Sequence, residues 1–380
     1  MRVGFPRMHK EAGERRDFLP PLLAALARAG ATVVAGSDIG SGMGLSRHDY
    51  LDAVPGLRLV DDAEAFAQDV VVTLRCPETD EFSTLRPGAT LVSMMHYGTR
   101  PARVARLRQL DIDAVSLDAI VDDVGDRLVV NAPAVAWNGV GAAFGVLAST
   151  WDRFTDRQRA PTQVLVTGVG TIGRHAVEAA TKYGDAARRD ELLRAGVAGV
   201  VVHGVGRNVT NDPALMRQLL SGTDLLVDAS QRDDATRPLI PNAWLAALPP
   251  HAVICDLVVD PYLIDRDQRL THPQTVRSIE GIPRGDLDRY VFAPDDPDWK
   301  ATIPAGVPTA HRRHTVSCYS WPGVRPKPCM ELYGMQLEPL LLALVERGSV
   351  AALRADGSFH ERALRRACLR FRDRDARRTA

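Results

Sequence analysis

Val164-Leu-Val-Thr-Gly-Val-Gly-Thr-Ile-Gly173 decides how this chain is organised. Val164 to Thr167 are apolar or β-branched and read as a buried strand. Gly168, Gly170 and Gly173 follow in G-x-G-x-x-G spacing, and Arg174 to Tyr183 read as a helix. In that context each glycine has a task. Gly168 allows a tight turn, Gly170 lets a pyrophosphate approach the backbone, and Gly173 lets helix and strand pack closely. The helix start, with Thr171 and Ile172, offers N–H groups to phosphate oxygens. The bland alternative is a βα turn that binds nothing. The motif lies mid-chain, so a dinucleotide-binding unit beginning near residue 160 leaves a large N-terminal region for another task.

Outward from that stretch, strand-like and helix-like segments alternate. Arg2 to Phe5, Thr32 to Ala35, Val70 to Leu74, Thr90 to Met94 and Ala114 to Ser116 read as strands; Pro20 to Ala29 and Pro101 to Leu110 read as helices. Ala134 to Phe154 is long, apolar and rich in small residues, as a helix joining two domains would be. A second β-α series follows, with strands at Val164 to Thr167, Gly199 to His203, Asp224 to Asp228 and Val253 to Leu257. From His314 the pattern changes to a Pro/Gly loop and a helix from about Met330 to Arg347, which is expected to return to the first domain. Such alternation predicts an α/β protein with two Rossmann-like domains, parallel sheets and an active site in the inter-domain cleft. The expected division is a substrate domain over residues 1–135 plus 310–380 and a dinucleotide-binding domain over residues 136–309.

Composition excludes several classes. A chain of 380 residues with 47 basic and 47 acidic side chains has no net charge, hence no field to recruit nucleic acid or anionic membrane. No apolar run is expected to approach the roughly 20 residues a bilayer span needs. The opening Met1-Arg-Val-Gly-Phe-Pro reads as a strand and not a signal peptide, so the expected location is cytoplasmic. Five scattered cysteines without a C-x-x-C pair predict neither a disulfide framework nor a zinc site, and no metal is expected. The lysines are four, Lys10, Lys182, Lys300 and Lys327, which limits any lysine-based proton shuttle.

Several short motifs resemble the alanine dehydrogenase / pyridine nucleotide transhydrogenase α-subunit family and its relatives, the lysine-forming saccharopine dehydrogenases. Val3-Gly-Phe-Pro-Arg with Glu14-Arg15-Arg16 and Pro20 is similar to that family's opening. Ser93-Met-Met-His96-Tyr falls where the family has its catalytic histidine. Val253-Ile-Cys-Asp256-Leu-Val-Val-Asp260 looks like its Val-Ile-Val-Asp-x-x-x-Asp, and Trp321-Pro-Gly-Val-Arg-Pro326 like its Met-Pro-Gly-x-x-Pro loop. Pro77-Glu-Thr-Asp80 and the segment Leu117-Asp118 to Leu128 resemble the saccharopine branch. Two positions depart: Arg75 stands where the family carries a lysine, and Ser320 where alanine dehydrogenases carry an asparagine.

The resemblance implies hydride transfer between nicotinamide and an amino-acid α-carbon, through an imine, to a 2-oxo acid. Such chemistry needs cations for a carboxylate, a base near pH 7 and a dry cofactor cleft. His96, after an apolar strand, is the candidate acid/base; the other nine histidines, His9 and His272 among them, lack such a context. Arg15 and Arg75 are the candidate carboxylate clamps, with Arg16 competing with Arg15 on register. Arg75 cannot replace a lysine as a general base. Asp260, read as the end of a strand Val253 to Val259, is the third catalytic candidate, with Asp256 as a backbone cap. Ser230, just past the strand ending at Asp228, is expected to line the cofactor cleft. The cofactor is NAD or NADP: no acid follows Val200-Val-Val-His203-Gly-Val-Gly, and Arg207 tilts the choice to NADP by offering a 2′-phosphate partner. The expected partner is a small amino acid or 2-oxo acid, with a homo-oligomer possible and no nucleic acid or membrane. The rival reading is a non-catalytic dinucleotide-binding or regulatory protein of the same fold, supported by arginine in place of lysine.

Overall fold

A computed structural model describes residues 1–7, 12–232, 234, 236–260, 262 and 276–372. His9, Lys10, His272 and the end of the arginine-rich tail, residues 373–380, lie outside them. The chain forms two compact units, Met1–Asn131 with Arg325–Ala380, and Ala132–Val324.

The first unit is built on six strands, β1 (Arg2–Phe5), β2 (Thr32–Gly36), β3 (Arg58–Val60), β4 (Val70–Arg75), β5 (Thr90–Met94) and β6 (Asp113–Ser116). They form one sheet of order β3-β2-β1-β4-β5-β6 with every pairing parallel. Parallel neighbours need crossovers, and here these are helices such as Pro20–Arg28 and Pro101–Gln109. β4 reads Val-Val-Val-Thr-Leu because a central parallel strand is covered on both faces; Val70 to Leu74 are all buried. The C-terminal helix Pro326–Arg347 belongs to this unit and begins four residues before the predicted start. It carries Leu337, Leu340, Leu341 and Leu344 at helical spacing into the same core as Leu22, Leu23 and Leu26 of Pro20–Arg28. Each such leucine contributes about 1.5–3 kcal/mol of burial.

The second unit holds β7 (Thr162–Thr167), β8 (Val200–Val205), β9 (Leu225–Asp228), β10 (Val253–Asp256), β11 (Val291–Phe292) and β12 (His314–Ser317). Their order is β11-β12-β10-β9-β7-β8, parallel except for β11. Since β12 pairs with β10, His314–Ser317 is part of this sheet, and the first unit resumes at Arg325 instead of residue 310. The long apolar helix spans Ala132–Thr150 and places Ala136, Val140, Ala143, Phe144 and Leu147 in the second core. Its small residues are needed there: a Cβ at Gly139 would stand 2.2 Å from Leu257. By length and composition this helix is apolar enough to cross a membrane, which corrects the expectation that no run approaches that length. Its buried face, however, already lies on the second sheet.

Each sheet has a switch point where the strand order reverses, between β1 and β4 in the first and between β7 and β9 in the second. Open α/β sheets take ligands outside the carboxyl ends of strands at such points.

Candidate functional site

At the second switch point, β7 ends at Thr167 and the glycine turn begins. Gly168 has φ +90°, and a Cβ there would stand 2.5 Å from the Ala229 carbonyl oxygen, so the turn presses against the end of β9. A Cβ on Gly173 would stand 1.9 Å from the Gly168 carbonyl oxygen. Gly170 differs: a Cβ there meets nothing within 4 Å, so space lies open above it. The following helix is Thr171–Thr181, three residues earlier than predicted, because Thr171, Ile172 and Gly173 form its first turn. No side chain caps that turn, which leaves its first N–H groups for a ligand. Open space, an uncapped helix start and two glycines held by contact fit a dinucleotide pyrophosphate.

Around this turn, Ser230 N–H donates to Asp228 Oδ1 at 3.1 Å, and the Ser230 and Ser278 hydroxyls lie 2.9 Å apart. Arg207 is exposed and opens the short helix Arg207–Thr210 directly after β8 and Gly206. Asp228 is fully buried at the end of β9. Thr167 Oγ1 donates to it at 2.9 Å, while its Oδ2 has no partner. Burial, then the neighbouring Asp256 carboxylate, push its pKa up to about 6 against the hydrogen bonds of Ser230 and Ser278. Asp256 is instead ion-paired with the buried Arg277 and accepts from Ser317 Oγ at 3.0 Å.

Asp260 is not the last residue of a strand. β10 stops at Asp256, whose Oδ1 accepts the N–H groups of Val258 and Val259 at 3.1 and 2.8 Å and so curls the chain out of the sheet. Asp260 follows in a loop, and its Oδ2 accepts from Arg232 Nη2 at 2.8 Å.

In the first unit, the carboxyl ends of β4 and β5 carry Arg75 and the segment leading to His96. Arg75, half-buried, pairs in register with Met94 across a bulge. His96 has φ +51°, left-handed for a residue that seldom adopts it, and this turns the chain sharply off β5. Asp118, following β6, holds that turn: its Oδ1 accepts the N–H groups of Met95 and His96 at 3.1 Å each and the Ser116 hydroxyl at 2.5 Å. Its Oδ2 lies 3.6 Å from His96 Nδ1.

Nearly half of the His96 side-chain surface is accessible, 48%, yet enough protein surrounds the ring to strip part of its hydration. That desolvation lowers its pKa; Asp118 opposes, and the guanidinium groups of Arg100, Arg75 and Arg103 lower it further. His96 therefore stays neutral to a lower pH than an ordinary histidine. For Asp118, burial acts upward, but His96, the Ser116 hydroxyl, the His96 N–H and Arg127 prevail and hold its carboxyl below the usual range.

Arg15 and Arg16 stand in different surroundings. Arg16 is buried and grips Glu14 bidentately, Nε to Oε1 at 2.9 Å and Nη2 to Oε2 at 2.6 Å. Arg15 is the exposed one of the two, its backbone against Gly42.

Thus the first unit gathers His96 with Arg75 and with three groups that sequence reading passed over: Asp118, Arg100 and Arg103. The second gathers Gly168, Gly170, Thr171, Ile172, Gly173 and Ser230 with Asp228, read from the sequence beside Ser230, plus Arg232 and Arg277, which the sequence does not single out. Asp118 lies in a quoted motif and could have been found there. Arg232 and Arg277 meet partners 28 and 21 residues away, with no local pattern to announce the pairing.

Two doubly wound α/β units, one bearing a glycine-rich turn fit for pyrophosphate and one bearing a histidine among arginines, define a dinucleotide-binding protein class of the Rossmann type. Residues 5–134 match the model of the alanine dehydrogenase/PNT N-terminal domain. An alanine dehydrogenase of Mycolicibacterium smegmatis is 26% identical over 281 residues, 68% of this chain and 73% of the relative. An NAD(P) transhydrogenase subunit alpha of Cereibacter sphaeroides is 29% identical over 197 residues, 48% of this chain and 36% of that one. A solved L-alanine dehydrogenase shares the fold at TM-score 0.65 and 18% identity, covering 97% of this chain and 94% of its own. Residues 5–134 thus carry the alanine dehydrogenase/PNT N-terminal domain, and over about two thirds of its length the chain is similar to an alanine dehydrogenase.

Proposed function

We propose that the chain is an NAD(P)-dependent amino-acid dehydrogenase that oxidises a CH–NH or CH–NH2 group. The observation that carries the reading is His96: a half-exposed imidazole with lowered pKa, fixed by Asp118 at the carboxyl end of β5 and ringed by arginines. The dinucleotide is held by the Gly168–Gly173 turn, the N–H groups of Thr171 and Ile172, and Ser230. When bound, its nicotinamide supplies or accepts the hydride.

The chain's own residues do the rest. Arg15 and Arg75 hold the substrate carboxylate by guanidinium forks. His96 Nδ1 faces Asp118, so Nε2 is the atom that takes a proton from the amine or from attacking water and returns it to the leaving amine. Oxidation leaves an imine, water adds, and a 2-oxo acid and an amine depart. Arg75 keeps its charge and binds without shuttling, so the proton work falls to His96. Asp260, at the carboxyl end of the second sheet, orients the nicotinamide end of the dinucleotide. Arg207 favours NADPH, because the chain offers an exposed guanidinium and no acid after β8.

A second reading, a non-catalytic dinucleotide-binding protein, draws on Arg75 in the position where relatives carry lysine. One assay separates the readings: oxidation of NADPH and NADH by purified protein with a panel of 2-oxo acids, each with ammonia and, separately, with lysine and other amino acids. Turnover is expected, faster with NADPH. Turnover with ammonia places the chain with the alanine dehydrogenases; a requirement for an amino acid makes it saccharopine-like. Tight dinucleotide binding with no turnover on any combination favours the second reading.

A further inference from the structure

Two observations within the second unit converge on Asp260. The first is backbone strain. The Asp256 carboxylate captures the N–H groups of Val258 and Val259, and Val259 adopts φ +53°. A β-branched residue in the left-handed region is a true outlier. Such strain persists only where the surroundings over-determine it, and its effect is to set the direction in which Asp260 leaves the sheet.

The second is a buried cation. Arg232, whose side chain is 7% exposed, donates Nη2 to Asp260 Oδ2 at 2.8 Å and to the Val276 carbonyl at 2.7 Å, and Nη1 to the Arg237 carbonyl at 2.7 Å. One guanidinium thus ties the loop after β9, the loop after β10 and the segment at Val276. Neighbouring residues repeat the fastening: Ser230 meets Ser278, and Arg277 pairs with Asp256.

We propose that Arg232 is a positioning residue for Asp260. It holds the carboxylate by one oxygen at the carboxyl end of the second sheet, so that Asp260 acts as a fixed negative charge there. The inference rests on the dehydrogenase reading above. A guanidinium suits the task because its planar fork reaches three acceptors at once, which an ammonium on a flexible stem does not match.

The test is a double-mutant cycle on the full-length chain. R232A, R232K, D260N and R232A/D260N are assayed for kcat, for KM of the amino acid, and for dinucleotide Kd by NAD(P)H fluorescence. R232A and D260N are each expected to lower kcat at least 10-fold with KM and Kd changed less than 3-fold. The double variant should be no slower than the slower single, since both break one unit. R232K should recover part of the rate, retaining the charge without the fork. Should R232A fail to fold, D260N, which keeps the side chain's shape, and R232K carry the test. Wild-type kcat in R232A or D260N overturns the inference alone, as do losses that multiply in the double variant. A wild-type chain silent across the substrate panel removes the dehydrogenase reading and this inference with it.

Discussion

The two sheets share a doubly wound plan and a switch point, yet their strand ends are equipped in opposite ways. The second sheet follows β7 with three glycines, open space at Gly170 and an uncapped helix, while its acids, Asp228 and Asp256, are buried beneath the turn. The first sheet follows β1 with Pro6 and Arg7, and puts its ionisable groups, His96, Arg75 and Arg15, where water reaches them. Topology provides a crevice in both. Whether that crevice takes a long dinucleotide or a small anion and a proton depends on the first βα turn and on the residues that end the central strands.

The largest expected effect tests the division of labour itself. His96→Ala should lower kcat by about 10²–10⁴-fold, the usual worth of a positioned acid/base, and leave dinucleotide Kd within 2-fold. The two are read by steady-state kinetics and fluorescence titration. A variant that loses cofactor affinity along with rate would show that the first unit's site and the glycine turn are not separate devices.

Asp228 gives the next largest effect, on stability. Its pKa of about 6 lies above the ordinary 3.8. Between those values the folded chain keeps a proton that the unfolded chain has released. The contribution of Asp228 to stability is therefore greatest below about pH 4, falls as pH rises to 6, and is level above. A shift of roughly two units corresponds to about 3 kcal/mol. Asp228→Asn cannot lose that proton, so the variant should gain on wild type by about that amount between pH 4 and pH 7 in denaturant titrations. Parallel stability curves would mean that Asp228 does not hold a proton in the fold.

Much of this comparison was written in the chain. β5 runs Thr90–Met94 and β1 Arg2–Phe5 as read from the sequence, and β4 and β7 stand where β-branched runs announce them, because central parallel strands are covered on both faces. β3 and β11 are short and partly exposed, so their sequences carry no run to detect. The strand ending near Asp260 was overextended because Leu257, Val258 and Val259 are apolar, whereas the Asp256 side chain ends the ladder by taking their N–H groups. Candidate ligands at strand ends were legible as residue types. Their holders were not: Asp118, Arg232 and Arg277 act over distances in sequence that leave no periodic trace.

The glycine turn offers a smaller and sharper test. Gly173→Ala pushes a Cβ against the Gly168 carbonyl and must displace the turn, so both stability, by about 1–3 kcal/mol, and dinucleotide affinity should fall. Gly170→Ala enters open space at φ −73°, a conformation alanine accepts. Its thermal unfolding should match wild type to within about 0.5 kcal/mol, while dinucleotide Kd rises at least 5-fold. If Gly170→Ala binds as wild type does, the space above Gly170 is not where the pyrophosphate lies.

The smallest effect concerns only where the His96 proton titrates, and its sign is fixed by the surroundings. Asp118 raises the pKa of His96, whereas Arg100 lowers it. On the proposed mechanism the neutral imidazole is the working form in the oxidative direction, so kcat/KM should fall as pH drops through that pKa. Asp118→Asn keeps an oxygen for the Met95 and His96 N–H groups but removes the charge, and its acid limb should move to lower pH. Arg100→Gln should move the limb to higher pH. Both shifts should shrink at high salt, since nearly half the ring surface is open to solvent and the charges are partly screened. Limbs that do not move apart in opposite directions would assign the acid side of the profile to a group other than His96, and the contrast between a proton-handling first sheet and a dinucleotide-holding second would lose its main support.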